Sequence, residues 1–136
     1  MNVDYKEKPL VYSCSGSSTA AQMANYIAVR LDRLGLAEMS CIAGVGGNVK
    51  KLVKTATSGR RMIVLDGCPL VCAKACLSNH YVSANLHFDL SKFGVKKKQH
   101  EDFDMEQAHE ILQIIIRAIN EEIQVEEAYR MLEEVC

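Results

Sequence analysis

What the chain has least of is net charge: 16 Lys and Arg face 17 Asp and Glu, leaving −1. That balance gives no electrostatic basis for binding nucleic acid or an anionic membrane surface. Long apolar runs are also missing. The stretch Ile111 to Ile116 is interrupted by Gln113 and falls far short of the roughly 20 residues a membrane-crossing helix needs. The polar start Met-Asn-Val-Asp-Tyr-Lys-Glu-Lys lacks the charged region and apolar core of a secretory leader. A cytoplasmic protein is expected, with no membrane or nucleic-acid partner. Lys96-Lys97-Lys98 is the one basic cluster; Glu101, Asp102 and Asp104 follow closely, and it reads as a solvated loop.

What is present is a chain of 136 residues, long enough for one domain, 1–136, to bury a core without staples. It carries six cysteines. In a reducing compartment, a domain that needs no disulfides uses such cysteines for metal or thiol chemistry.

Pro9 to Ser13 reads as a buried strand and Cys14 to Ser18 as the turn after it. Met23, Ile27, Leu31 and Leu34 then recur at a helical period over Thr19 to Leu34, ended by Gly35. A second strand is expected over Ala37 to Ile42. Ala43-Gly-Val-Gly-Gly47 follows it, and then a shorter helix through Lys50 to Val53. The third strand runs from Arg61 and stops at Asp66-Gly67. Pro69 suits the first position of a helix, which would make Cys68 its cap and put Cys68 and Cys72 one turn apart on one helix face. A fourth strand spans Ala84 to Leu90. Asp104 to Ile119 is the strongest helix, with Met105, Ala108, Ile111, Leu112, Ile115 and Ile119 on one face. Ala128, Met131, Leu132 and Val135 repeat that spacing after a break near Ile123 to Val125. The apolar excess of this C-terminal helical segment, 104–136, suggests a homodimer surface.

Alternating strands and helices predict an α/β fold: a single three-layer domain with a four-stranded, mostly parallel sheet in the order 2-1-3-4, flanked by helices and closed by a C-terminal helix. Cys14, Cys41 and Cys68 lie at equal intervals of 27 residues, each at the end of one of the first three strands. In a parallel sheet they start from the same edge, on neighbouring strands about 4.8 Å apart, and Cys72 overhangs that edge. Helix N-termini at the edge are expected to favour thiolates. Four thiolates, Cys14, Cys41, Cys68 and Cys72, suit zinc better than a hard cation, and zinc better than an iron–sulfur cluster.

These residues carry a resemblance. Tyr12-Ser13-Cys14-Ser15-Gly16, Met39-Ser40-Cys41 with its glycine-rich loop, and Asp66-Gly67-Cys68-Pro69 with Cys72-Ala73 resemble the DGC-domain family of zinc-binding proteins, over roughly Leu10 to Leu90. The resemblance implies a metal held by Cys14, Cys41, Cys68 and Cys72, and no defined activity.

Cys76 reads as a packing residue and Cys136 as a free terminal thiol. His87, in the fourth strand, is an alternative ligand should Cys41 not serve, or else a hydrogen-bonded residue of the sheet edge; His80, His100 and His109 read as surface positions. Asp66 suits the turn. The loop Gly44-Val-Gly-Gly47 does not complete a dinucleotide fingerprint; its glycines read instead as permitting an unusual backbone turn or letting the chain pass close to the metal edge. A second functional reading makes Cys14 a nucleophile, since Cys-Ser-Gly-Ser-Ser-Thr is similar to the phosphorylated loop of cysteine-type IIB components of sugar phosphotransferase systems. A low-molecular-weight tyrosine phosphatase would need an arginine where Ala20 stands. A third reading, a redox pair of Cys68 with Cys72 or Cys72 with Cys76, lacks the usual two-residue spacing.

Overall fold

The computed structural model describes residues 2–135, without the side chains of 133–135. The expectations for Cys136 and for the Val135 side chain lie outside the described residues. Four strands, β1 (Leu10–Ser13), β2 (Glu38–Met39), β3 (Met62–Asp66) and β4 (Leu86–Asp89), form one parallel sheet in the order β2-β1-β3-β4. Both the α/β class and the strand order are those the sequence predicts. Every residue of β1 and β3 is buried, as apolar runs in a parallel sheet covered on both faces should be.

The helices are α1 (Thr19–Arg33), α2 (Ile42–Gly46), α3 (Lys50–Ala56), α4 (Cys72–Ser78), α5 (Met105–Asn120) and α6 (Val125–Val135). α1 packs on β1, β2 and β3 and against α5, while α2 packs against α4, which lies on β3. The chain first steps outward from β1 to β2, then crosses back past β1 to β3. Right-handed crossovers therefore place α1 on one face and α2 to α4 on the other. The direction change falls between β1 and β3, where open α/β sheets leave a crevice at their carboxyl ends.

Local chemistry sets the element ends. α1 starts at Ser18, whose hydroxyl accepts the Ala21 N–H at 3.1 Å. The Ser18→Ala protein should lose about 1 kcal/mol of stability and about 3–5 °C in Tm, read by thermal unfolding. β2 holds two residues, where the sequence suggested six, because the chain turns into α2 at Ile42 directly after the Ser40 N–H bonds to the Val11 carbonyl. α5 buries Ala108, Ile111, Leu112, Ile114, Ile115 and Ala118; Met105, expected on that face, is exposed.

The break near Ile123 is real, and α6 folds back onto α5 and β4. Tyr129 stands edge-on to Phe93 at 4.8 Å between ring centroids, and its hydroxyl accepts the Asp89 N–H at 2.8 Å. Ala128 is fully buried, and Met131 and Leu132 pack against the core. The apolar excess of the C-terminal segment is thus used within the chain. Among the described residues, no helix is long and apolar enough to cross a membrane.

Candidate functional site

Cys14 follows β1 directly, and Gly67 and Cys68 follow β3. Because Ser13 pairs with Leu65 and the Cys14 N–H bonds to the Leu65 carbonyl at 3.0 Å, the two turns rise side by side from the sheet edge. Between them lies a cavity of about 180 Å³ lined by Cys14, Cys68 and Cys72, the loop Ser15 to Ser18, Asp66, Gly67, Leu70 and Val71, and by Lys97 and Gln99. Three of the four predicted cysteines therefore converge at the direction change. Cys41 stands at the same edge as the N-terminal cap of α2, exposed and outside the cavity.

The route by which Cys68 and Cys72 meet differs from the expectation. α4 begins at Cys72, three residues later than Pro69 suggested, so Cys68 and Pro69 belong to a turn closed by the Val71 N–H on the Cys68 carbonyl at 3.1 Å. Two features enforce this. The buried Asp66 carboxylate reaches past the turn and accepts the N–H groups of Ala73 at 2.8 Å and Lys74 at 3.2 Å, fixing which residues form the first turn. Val71 takes up the left-handed region at φ 46°, a conformation costing a β-branched residue about 1–2 kcal/mol. Cys68 and Cys72 thus line the same cavity from the two ends of a turn strained at Val71. The i, i+4 pair on α4 is Cys72 with Cys76.

Asp66 is fully committed. Beside the two backbone N–H groups it holds His87 Nε2 at 2.8 Å, across the register that pairs Val64 with His87. His87 is thus the hydrogen-bonded residue of the sheet edge that one reading expected. Cys76 lies outside the cavity, with its thiol pKa raised by burial, and packs on α2: a Cβ added at Gly46 would stand 3.0 Å from its sulfur. The glycine-rich segment therefore allows a close approach of chains, but to α4 rather than to the thiol cavity. His80 is also engaged, its Nε2 lying 2.9 Å from the Val45 carbonyl.

The electrostatics of Cys14 reverse the expectation. Its sulfur is buried and accepts the Gly67 N–H at 3.2 Å, yet burial, with Asp66, Cys72 and Cys68 nearby, pushes its pKa up to about 11. The N-terminus of α1 does not offset this. It begins five residues later, at Thr19, and Ser18 already occupies its Ala21 N–H. A buried thiol with a raised pKa is less activated than a nucleophile at a helix N-terminus, which counts against phosphotransfer through Cys14.

Comparison with known families agrees with the motif. The family model of the DGC domain matches residues 10–115. The chain is a DGC-domain protein. It is 56% identical over 103 residues, covering 76% of this chain and 79% of the relative, to a Pseudomonas aeruginosa protein named anaerobic and virulence modulator AnvM. No solved structure is a significant match. In this DGC domain the Asp of the signature holds α4 in place, the Gly permits backbone contact with α1, and the Cys lines the cavity.

As a donor set, the three thiols fit a soft cation such as zinc, and the carboxylate beside them is already engaged. Among the described residues, no three His, Cys, Asp or Glu side chains stand ready-placed around one ion. Cys68 is half-buried and Cys72 exposed, whereas Cys14 is held in the wall. One lining residue went unrecognised in the sequence: Lys97, whose Nζ donates to Cys68 Sγ at 3.7 Å.

Proposed function

We propose that this DGC domain is a zinc-binding thiol centre of the cytoplasm, in which Cys14, Cys68 and Cys72 hold the metal as thiolates, and that it serves sensing rather than turnover. The observation that carries the reading is the convergence of those three thiols on one cavity at the crevice between β1 and β3. Bound there, zinc would tie the turn after β1 to the start of α4. It would also hold as thiolates Cys68 and Cys72, which are otherwise accessible to oxidants, so metal loss and thiol oxidation become linked events. The relative's name, an anaerobic and virulence modulator, supports a regulatory role. Three thiolates leave the fourth position of a tetrahedral site to Cys41, at the same sheet edge, or to an outside ligand.

Protein purified reduced and without oxygen should carry about one zinc per chain by elemental analysis, and Cys68→Ala should fall to background. Cys41→Ser decides the fourth position: loss of metal assigns it to Cys41, full retention to an outside ligand. Wild-type protein that carries no zinc and rebinds none would end this reading.

A further inference from the structure

The basic run is the exposed loop the sequence suggests, with Lys96, Lys97 and Lys98 all open to solvent, but it is not loose. Its backbone is strapped onto the start of α1, where the Thr19 N–H donates to the Lys98 carbonyl at 2.9 Å. The Thr19 hydroxyl donates to the Lys96 carbonyl at 3.2 Å and accepts the Lys98 N–H at 2.9 Å. Ser17 Oγ donates to Gln99 Oε1 at 3.2 Å. The strap sends its lysines different ways. Lys98 pairs with Glu101 at 3.8 Å, while the exposed Lys97 lines the thiol cavity and donates to Cys68 Sγ.

We infer that Lys97 is a working member of the thiol site: its ammonium group donates to the Cys68 sulfur and offsets the negative charge that the site carries when it is filled. This rests on the zinc reading above. A divalent ion held by three thiolates has one negative charge left over, near the buried Asp66 carboxylate, and a cation within a few ångströms lowers the energy of that charge even where solvent reaches it. His87 stands against Asp66. Lys97 is the cation in position for the sulfur side, and its strap holds the chain there in advance. An ammonium group has no lone pair with which to bind metal, so it partners a ligand and does not replace one. Groups that hydrogen-bond metal ligands typically change metal affinity by 10–100-fold when removed.

The test uses Lys97→Met, close in shape and uncharged, and Lys97→Arg, which restores a cation. Zinc affinity is measured by competition with a chromophoric chelator. The Met variant should bind at least about tenfold more weakly and the Arg variant should recover most of the loss. A second readout needs no metal. In zinc-free protein, the rate at which Cys68 reacts with a dianionic aromatic disulfide is divided by its rate with a neutral one, the products being located by peptide mass. The degree of thiol ionisation cancels in this ratio, leaving the local field. It should fall several-fold in Lys97→Met and return in Lys97→Arg. An unchanged ratio overturns the placement of Lys97 against Cys68, and an unchanged affinity in zinc-loaded protein overturns its charge-balancing role. Should wild type take up no zinc, the metal reading fails separately, and the ratio alone decides the place of Lys97.

Discussion

Gly67→Ala is expected to destabilise the fold by about 3 kcal/mol or more, at or beyond the upper end of what overpacking a well-packed site costs. A Cβ at Gly67 would lie 2.5 Å from both the carbonyl carbon and oxygen of Ala20 and 2.8 Å from the Ala21 nitrogen. These are backbone atoms of the first turn of α1, so no side chain can rotate away to make room. Nor can α1 back off freely. Ser18 caps it, and Thr19 binds it to the 96–98 strap by three hydrogen bonds. The same substitution should loosen the Gly67 N–H bond to Cys14 Sγ and open Cys14 to alkylation. Urea unfolding and the alkylation rate of Cys14 measure the two effects. A change within about 0.5 kcal/mol, the range of an ordinary surface substitution, would show that the close approach has no energetic weight.

The parts of this molecule that could be read in advance are those fixed by periodicity and by sheet topology. β1 and β3 are short apolar runs closed by turn residues, and α1 and α5 repeat apolar residues at helical spacing. Given those, the right-handed crossover rule leaves few strand orders, and a parallel sheet must bring Cys14 and Cys68 to one edge. What could not be read depends on contacts between distant residues. The start of α4 follows from the reach of Asp66 to Ala73 and Lys74 and from the φ of 46° at Val71, and no valine announces a left-handed conformation. The favourable position of Pro69 was outweighed by that carboxylate. Cys41 stays outside the cavity because β2 ends at Met39 and the chain turns into α2. Lys97 was hidden for the same reason: its place is set by Thr19, far away in the chain. The ionisation of Cys14 could not be read either, because how deep a strand-end thiol sits is set by the segments packed over it.

That burial gives the second large effect, a loss of stability at alkaline pH. The Cys14 thiol titrates near 9.0 when unconstrained and is pushed up to about 11 in the folded chain. Between those values the unfolded chain has released the proton and the folded chain still holds it, so folding stability falls as pH rises. The contribution is complete below pH 9.0 and gone above about 11. At about 1.4 kcal/mol per pH unit, it amounts to roughly 2–3 kcal/mol. The phenols of Tyr12 and Tyr129, also raised by burial, add to the same alkaline loss, so the decisive comparison is with Cys14→Ser. Serine keeps an oxygen that can accept the Gly67 N–H but does not titrate in this range. Urea midpoints of zinc-free protein, taken across pH 8 to 11, should fall more steeply for wild type than for Cys14→Ser, by roughly the 2–3 kcal/mol assigned to the thiol. Parallel curves would mean that Cys14 ionises as easily folded as unfolded. The same proton stands in the way of a metal. Cys14 must give it up to become a ligand, so a soft cation has to displace it from a thiol that the fold holds protonated, and acid should release the metal.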